Sequence, residues 1–76
     1  MKEVLRSLVG KKLNFVVDIG PGVKPRFYTG VLLRLVGDYA EIRDKFGSLV
    51  IISIGAIKKV EVVRGGDGGV QSGSSD

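Results

Sequence analysis

The chain has no cysteine, no histidine and no tryptophan. It therefore has no disulfide, lacks the commonest metal-ligating side chains, and has neither of the side chains most often used as base or thiol nucleophile. It has only two prolines, both in the stretch Ile19-Gly20-Pro21-Gly22-Val23-Lys24-Pro25, which reads as a loop. No apolar run approaches the roughly 20 residues that span a bilayer, so no membrane segment is expected. The start, Met1-Lys2-Glu3-Val4-Leu5-Arg6, carries an acid and lacks a long apolar stretch and a small-residue cleavage site. No signal peptide is expected, and a cytoplasmic location is the expectation. Seventy-six residues make one domain. A unit this small buries only about 60% of its unfolded surface and is marginal alone. With disulfides and the usual metal ligands excluded, self-association is the expected source of added stability.

What the sequence does have is the run Leu49-Val50-Ile51-Ile52-Ser53-Ile54. On a strand, Leu49, Ile51 and Ser53 point to one side while Val50, Ile52 and Ile54 point to the other. One set can fill a core, and the other would face water in a lone subunit. Burying a Val, Leu or Ile stabilises by roughly 1.5–3 kcal/mol, so two or three such side chains rival the ~5–15 kcal/mol stability of a whole domain. A partner is expected to cover the spare face.

The remaining elements follow from periodicity. Val4, Leu5 and Leu8 recur at helical spacing, with Gly10 placed to terminate a short helix. Leu13, Phe15 and Val17 alternate with Asn14 and Asp18 as in a half-buried strand. A long second strand, 26–36, is interrupted by Gly30, which signals a bend or bulge. Gly37-Asp38 reverses the chain into Tyr39–Asp44, with Ala40 and Ile42 inward and Glu41 and Arg43 outward. Lys45-Phe46-Gly47 turns into the apolar strand, and a kink at Gly55-Ala56 leads to a last strand over 57–63. The fold expected is mainly β, with one short N-terminal helix and a strongly bent five-stranded antiparallel sheet closed into a small barrel. Residues 1–64 form this domain, and 65–76, rich in Gly and Ser with little to bury, read as a flexible tail.

All twelve basic residues and six of the eight acids lie in residues 1–64, giving that part a charge of +6. A basic body favours polyanions, although a net charge of about 2–8 also serves plain solubility. Lys24 and Arg26 flank the first long loop, Lys45 tips a hairpin, and Lys58 and Lys59 accompany the last strand. The two lysines can equally guard an edge against wrong pairing. Asp38, Glu41 and Asp44 sit on turns or an exposed face beside Arg43 and Lys45 and read as solvated surface groups, and Tyr28 and Arg34, read as sharing a strand face, suggest no reaction. No catalytic residue, metal site or cofactor is read from the chain, and no enzyme activity is expected.

The order of elements, with Leu8-Val9-Gly10-Lys11-Lys12-Leu13, Tyr28-Thr29-Gly30-Val31-Leu32, Ile42-Arg43-Asp44 and Ala56-Ile57-Lys58-Lys59-Val60, resembles the Sm and Sm-like proteins, including the bacterial host-factor RNA chaperone. The resemblance covers about residues 3–63 and implies an SH3-like barrel whose fourth strand pairs with the fifth strand of the next copy. It thus implies a homo-oligomeric ring of roughly five to seven subunits, with Leu49, Val50, Ile51, Ile52 and Ile54 of one copy meeting Val60 and Val62 of another.

It also implies that RNA is bound by the loops after strands two and four. Here the base-reading asparagine position falls on Ala40, and Ser53-Ile54-Gly55-Ala56-Ile57 has no basic residue before the glycine. Asp38, Tyr39 and Gly55 stand at the loop positions. The Tyr39 ring can stack on a base, worth about 1–3 kcal/mol, or pack beside Arg43 or a neighbouring subunit. Two readings follow. One is a ring that binds single-stranded RNA with limited sequence preference, helped by Lys24, Arg26, Lys45, Lys58 and Lys59. The other is a scaffolding ring that binds proteins.

Overall fold

A computed structural model describes residues 1–64; the segment read as a tail, 65–76, lies outside the described residues. Helix α1 (Lys2–Arg6) precedes five strands: β1 (Lys12–Val17), β2 (Arg26–Val36), β3 (Tyr39–Asp44), β4 (Leu49–Ser53) and β5 (Ile57–Val62). A 3-10 turn, Ile54–Ala56, occupies the expected kink between β4 and β5. All pairings are antiparallel and the strand order is β4-β3-β2-β1-β5. Among the described residues no helix is long and apolar enough to cross a membrane.

The helix is short because only Leu5 of its residues is buried, and Val4, counted in the helical repeat, is 53% exposed. Gly10 has φ +89°, a left-handed conformation that disfavours any residue with a Cβ, and its N–H donates to Leu32 O at 2.7 Å. That bond, with Leu32 N–H donating to Lys11 O at 3.1 Å, fastens the end of the helical segment to the middle of β2.

Burial follows the alternation in the sequence. Leu13, Phe15 and Val17 of β1, Leu32 of β2, and Ala40 and Ile42 of β3 form the core with Leu5, Ile52, Ile54 and Ile57. The apolar strand resolves accordingly: Ile52 is 6% exposed and Val50 packs partly against the core, whereas Leu49 and Ile51 are 52% and 58% exposed.

Gly30 is the point where β2 passes from one partner to the other, since it pairs with Leu13 of β1 and with Asp44 of β3. It is buried, and a Cβ there would sit 2.9 Å from the Asp44 Cα and closer still to the Arg43 carbonyl. The glycine thus permits close backbone approach. The irregularity itself falls between Leu32 and Arg34, where the β2–β3 register shifts. This corrects the expectation that Tyr28 and Arg34 share a face. Tyr28 pairs with buried Phe15 and packs on the core, whereas Arg34, beyond the shift, pairs with Glu41 and holds its carboxylate at 2.7 Å on the other face.

Replacing Gly30 by Ala forces β2 and β3 apart and should cost roughly 1–3 kcal/mol, seen as a lower denaturation midpoint in urea. An unchanged midpoint would show that the two strands separate freely there.

Candidate functional site

Three segments meet around the 3-10 turn. The Ile54 N–H donates to Asp38 O at 2.8 Å, and the Asp18 N–H donates to Ala56 O at 2.8 Å. Tyr39 pairs in register with Ser53. The positive φ of Gly37 (+56°) makes the reversal that brings Asp38 and Tyr39 there. Asp38, Tyr39 and Gly55, expected from separate loops, are therefore neighbours, and Tyr39 is 54% exposed. Lys2 joins them from α1, its Nζ 3.5 Å from Asp38 Oδ1. Nothing in the spacing of Lys2 and Asp38 foretold that contact, which depends on α1 docking over the end of the sheet.

The basic candidates are spread rather than pooled. Lys58 lies 4.0 Å from Asp18 and Lys59 lies 3.4 Å from Glu61, each pair well exposed and so weakly coupled. Lys24, Arg26 and Lys45 have no acidic partner among the described residues. Lys24 and Arg26 are exposed at the start of β2, and Lys45 sits on the β3–β4 hairpin with its Nζ 5.4 Å from the centroid of the Phe46 ring.

That hairpin is firmly built. The Asp44 carboxylate accepts from the N–H groups of Phe46 (2.9 Å) and Ser48 (2.8 Å), Asp44 N–H donates to Ser48 O, and Gly47 adopts φ +85°. Arg43 closes the turn by donating to Gly47 O at 2.9 Å. Phe46 nevertheless projects outward, 81% exposed, and Phe27 at the start of β2 is 76% exposed. Neither phenylalanine was singled out from the sequence. The signal was available, since Phe46 stands inside a turn and Phe27 directly after Pro25-Arg26.

The edge strands are polarised in a way only backbone register reveals. At the two ends of the β3–β4 ladder, Asp44 N–H donates to Ser48 O and Ile54 N–H donates to Asp38 O. Antiparallel pairs alternate between bonded and non-bonded, so Val50 and Ile52 bond to β3, and the N–H and C=O of Leu49, Ile51 and Ser53 point off the sheet. On β5, Val63 N–H donates to Lys12 O; by the same alternation Glu61 and Lys59 bond to β1, and Val60 and Val62 turn their backbone groups outward. Ile52 and Ile54, expected at an interface, fill the chain's own core, whereas Leu49, Ile51 and Val62 are exposed.

No family model matches this chain and no curated protein matches it, so the Sm-like resemblance rests on its own residues.

Replacing Asp44 by Ala removes the acceptor for two turn amides and should lower stability by about 1 kcal/mol. Amide exchange should accelerate at Phe46 and Ser48 while core amides of β1 stay slow. Equal acceleration throughout would show that the tip and core open as one unit.

Proposed function

We propose that this chain is an Sm-like subunit that assembles into a closed homo-oligomeric ring and binds single-stranded RNA with limited sequence preference. In this reading the bent sheet curls into a small barrel, with the 3-10 turn carrying the chain from β4 to β5.

The observation that carries the reading is the match between the two edges. Leu49 and Ile51 on β4, and Val62 with the half-buried Val60 on β5, turn their backbone groups outward, and of these Leu49, Ile51 and Val62 also have exposed apolar side chains. Residues opposite each other in an antiparallel ladder share a face. Pairing β4 of one copy with β5 of the next therefore puts Leu49 and Ile51 beside the neighbour's Val60 and Val62. The same step removes two open edges, which a free monomer would expose to aggregation. Because β4 and β5 are different surfaces the contact is head-to-tail, and it stays finite only by closing into a ring.

RNA binding is supported by charge and repetition. Lys24, Arg26 and Lys45 without acidic partners, and Tyr39 beside Gly55 and Asp38, recur once per subunit, and repetition raises avidity without a strong single site. Asp38 is held beside Lys2, which limits its repulsion of a phosphate. The exposed Val36, Tyr39 and Ile51 favour instead a protein partner on the outer face of β2–β4.

Two measurements test the proposal. Sedimentation at micromolar concentration should give an oligomer of roughly five to seven copies. Ile51→Lys should leave the fold intact and yield monomers, whereas Ile52→Lys, at a core position, should unfold the chain; a folded wild-type monomer overturns the ring. Anisotropy with labelled uridine-rich and adenine-rich oligonucleotides should show binding that weakens with salt. A ring that binds neither at low salt is a scaffold for proteins.

A further inference from the structure

The chain has three phenylalanines. Phe15 is wholly buried, and the other two, Phe27 and Phe46, are the most exposed large apolar side chains among the described residues. Leaving a phenylalanine in water forgoes a large burial gain, and here it happens twice, each time beside cations. Phe27 follows Lys24-Pro25-Arg26, and its row across the sheet runs through Val16 to Lys59. Phe46 has the Lys45 ammonium over its ring, and the Asp44 bonds fix the turn that displays it.

We infer that Phe27 and Phe46 form a two-ring stacking platform for the bases of single-stranded nucleic acid, with Arg26, Lys24 and Lys45 contacting the intervening phosphates. The inference rests on the RNA-binding reading and locates a contact surface apart from the Asp38–Tyr39–Gly55 cluster.

Geometry supports it. The two rings lie at the same end of the sheet, where β2 begins and β3 ends, and both residues are within three positions of the Gly30–Asp44 pair. Their Cα atoms are no more than about 22 Å apart, from strand rise and cross-strand spacing. That is a span a short stretch of single strand can bridge. Each site offers one flat ring flanked by cations rather than a broad apolar patch. One ring matches one base, and a neighbouring cation matches its phosphate. A lipid surface or an apolar protein groove would reward a wider apolar area than a single ring provides.

The chain lacks tryptophan, so Phe27→Trp and Phe46→Trp each create a single reporter on an exposed site that the fold does not need. Uridine-rich and adenine-rich oligonucleotides should quench both reporters as they saturate, and an abasic strand of equal length should not. Phe27→Ala and Phe46→Ala should each weaken binding by about fivefold or more, with the oligomer unchanged. Oligonucleotide binding with unquenched reporters and unaffected alanine variants overturns the platform and leaves RNA binding standing. No binding at low salt overturns both. A blue-shifted reporter on anionic vesicles, without oligonucleotide binding, makes lipid the ligand and overturns the platform.

Discussion

A sheet whose two edge strands do not pair with each other leaves two rows of backbone donors and acceptors with water as their only partner. In this chain those rows belong to β4 and β5. Ile52 and Ile54 are drawn into the core, and the alternation of a strand then obliges Leu49 and Ile51 to face outward. The same alternation, applied to hydrogen bonding, aims the backbone of those two residues off the edge. Exposed apolar side chains and unpaired backbone groups coincide on β4, and Val62 beside the half-buried Val60 repeats the coincidence on β5. The proposed ring is the arrangement in which each edge meets the other's requirement.

The polar surface has a different logic. Five ion pairs are scattered over the described residues, and most join exposed side chains whose coupling is small. Glu41 is the exception, its side chain largely covered while Arg34 holds it across the β2–β3 register shift. Lys24 and Arg26 beside Phe27, and Lys45 beside Phe46, are cations without an acidic partner among the described residues. The 3-10 turn links the two ends of the bent sheet, since Ile54 N–H donates to Asp38 O beyond the end of β2 while Asp18 N–H donates to Ala56 O beside the start of β2.

Much of the fold was legible in the sequence because it depends on local periodicity. The alternation in β1, the inward Ala40 and Ile42, the left-handed Gly10 and the kink at Gly55-Ala56 all stand where pattern and backbone stereochemistry put them. The face of β4 that turns inward was not legible, since six nearly continuous apolar residues carry no alternation to read; packing against Ala40 and Ile42 decides it. A glycine in a strand signals a bend, a bulge or a close approach, and only the β2–β3 register shows that the irregularity lies between Leu32 and Arg34 while Gly30 provides the close approach. At the candidate site, Asp38, Tyr39 and Gly55 were named from the loop positions that the Sm-like resemblance implies, and the Ile54–Asp38 bond brings those loops together. Lys2 was not named, since its contact spans 36 residues of sequence, and the two phenylalanines were passed over although Phe46 stands in a turn and Phe27 directly after Pro25-Arg26.

Residue-resolved amide exchange on the protein at the concentration where it sediments as a single species tests the edge pairing most directly. Leu49, Ile51, Ser53, Val60 and Val62 should exchange as slowly as Val50, Ile52, Lys59 and Glu61, because a neighbouring copy accepts their hydrogen bonds. Fast exchange at the first set beside slow exchange at the second would mean that both edges are open to water, and the ring would be contradicted.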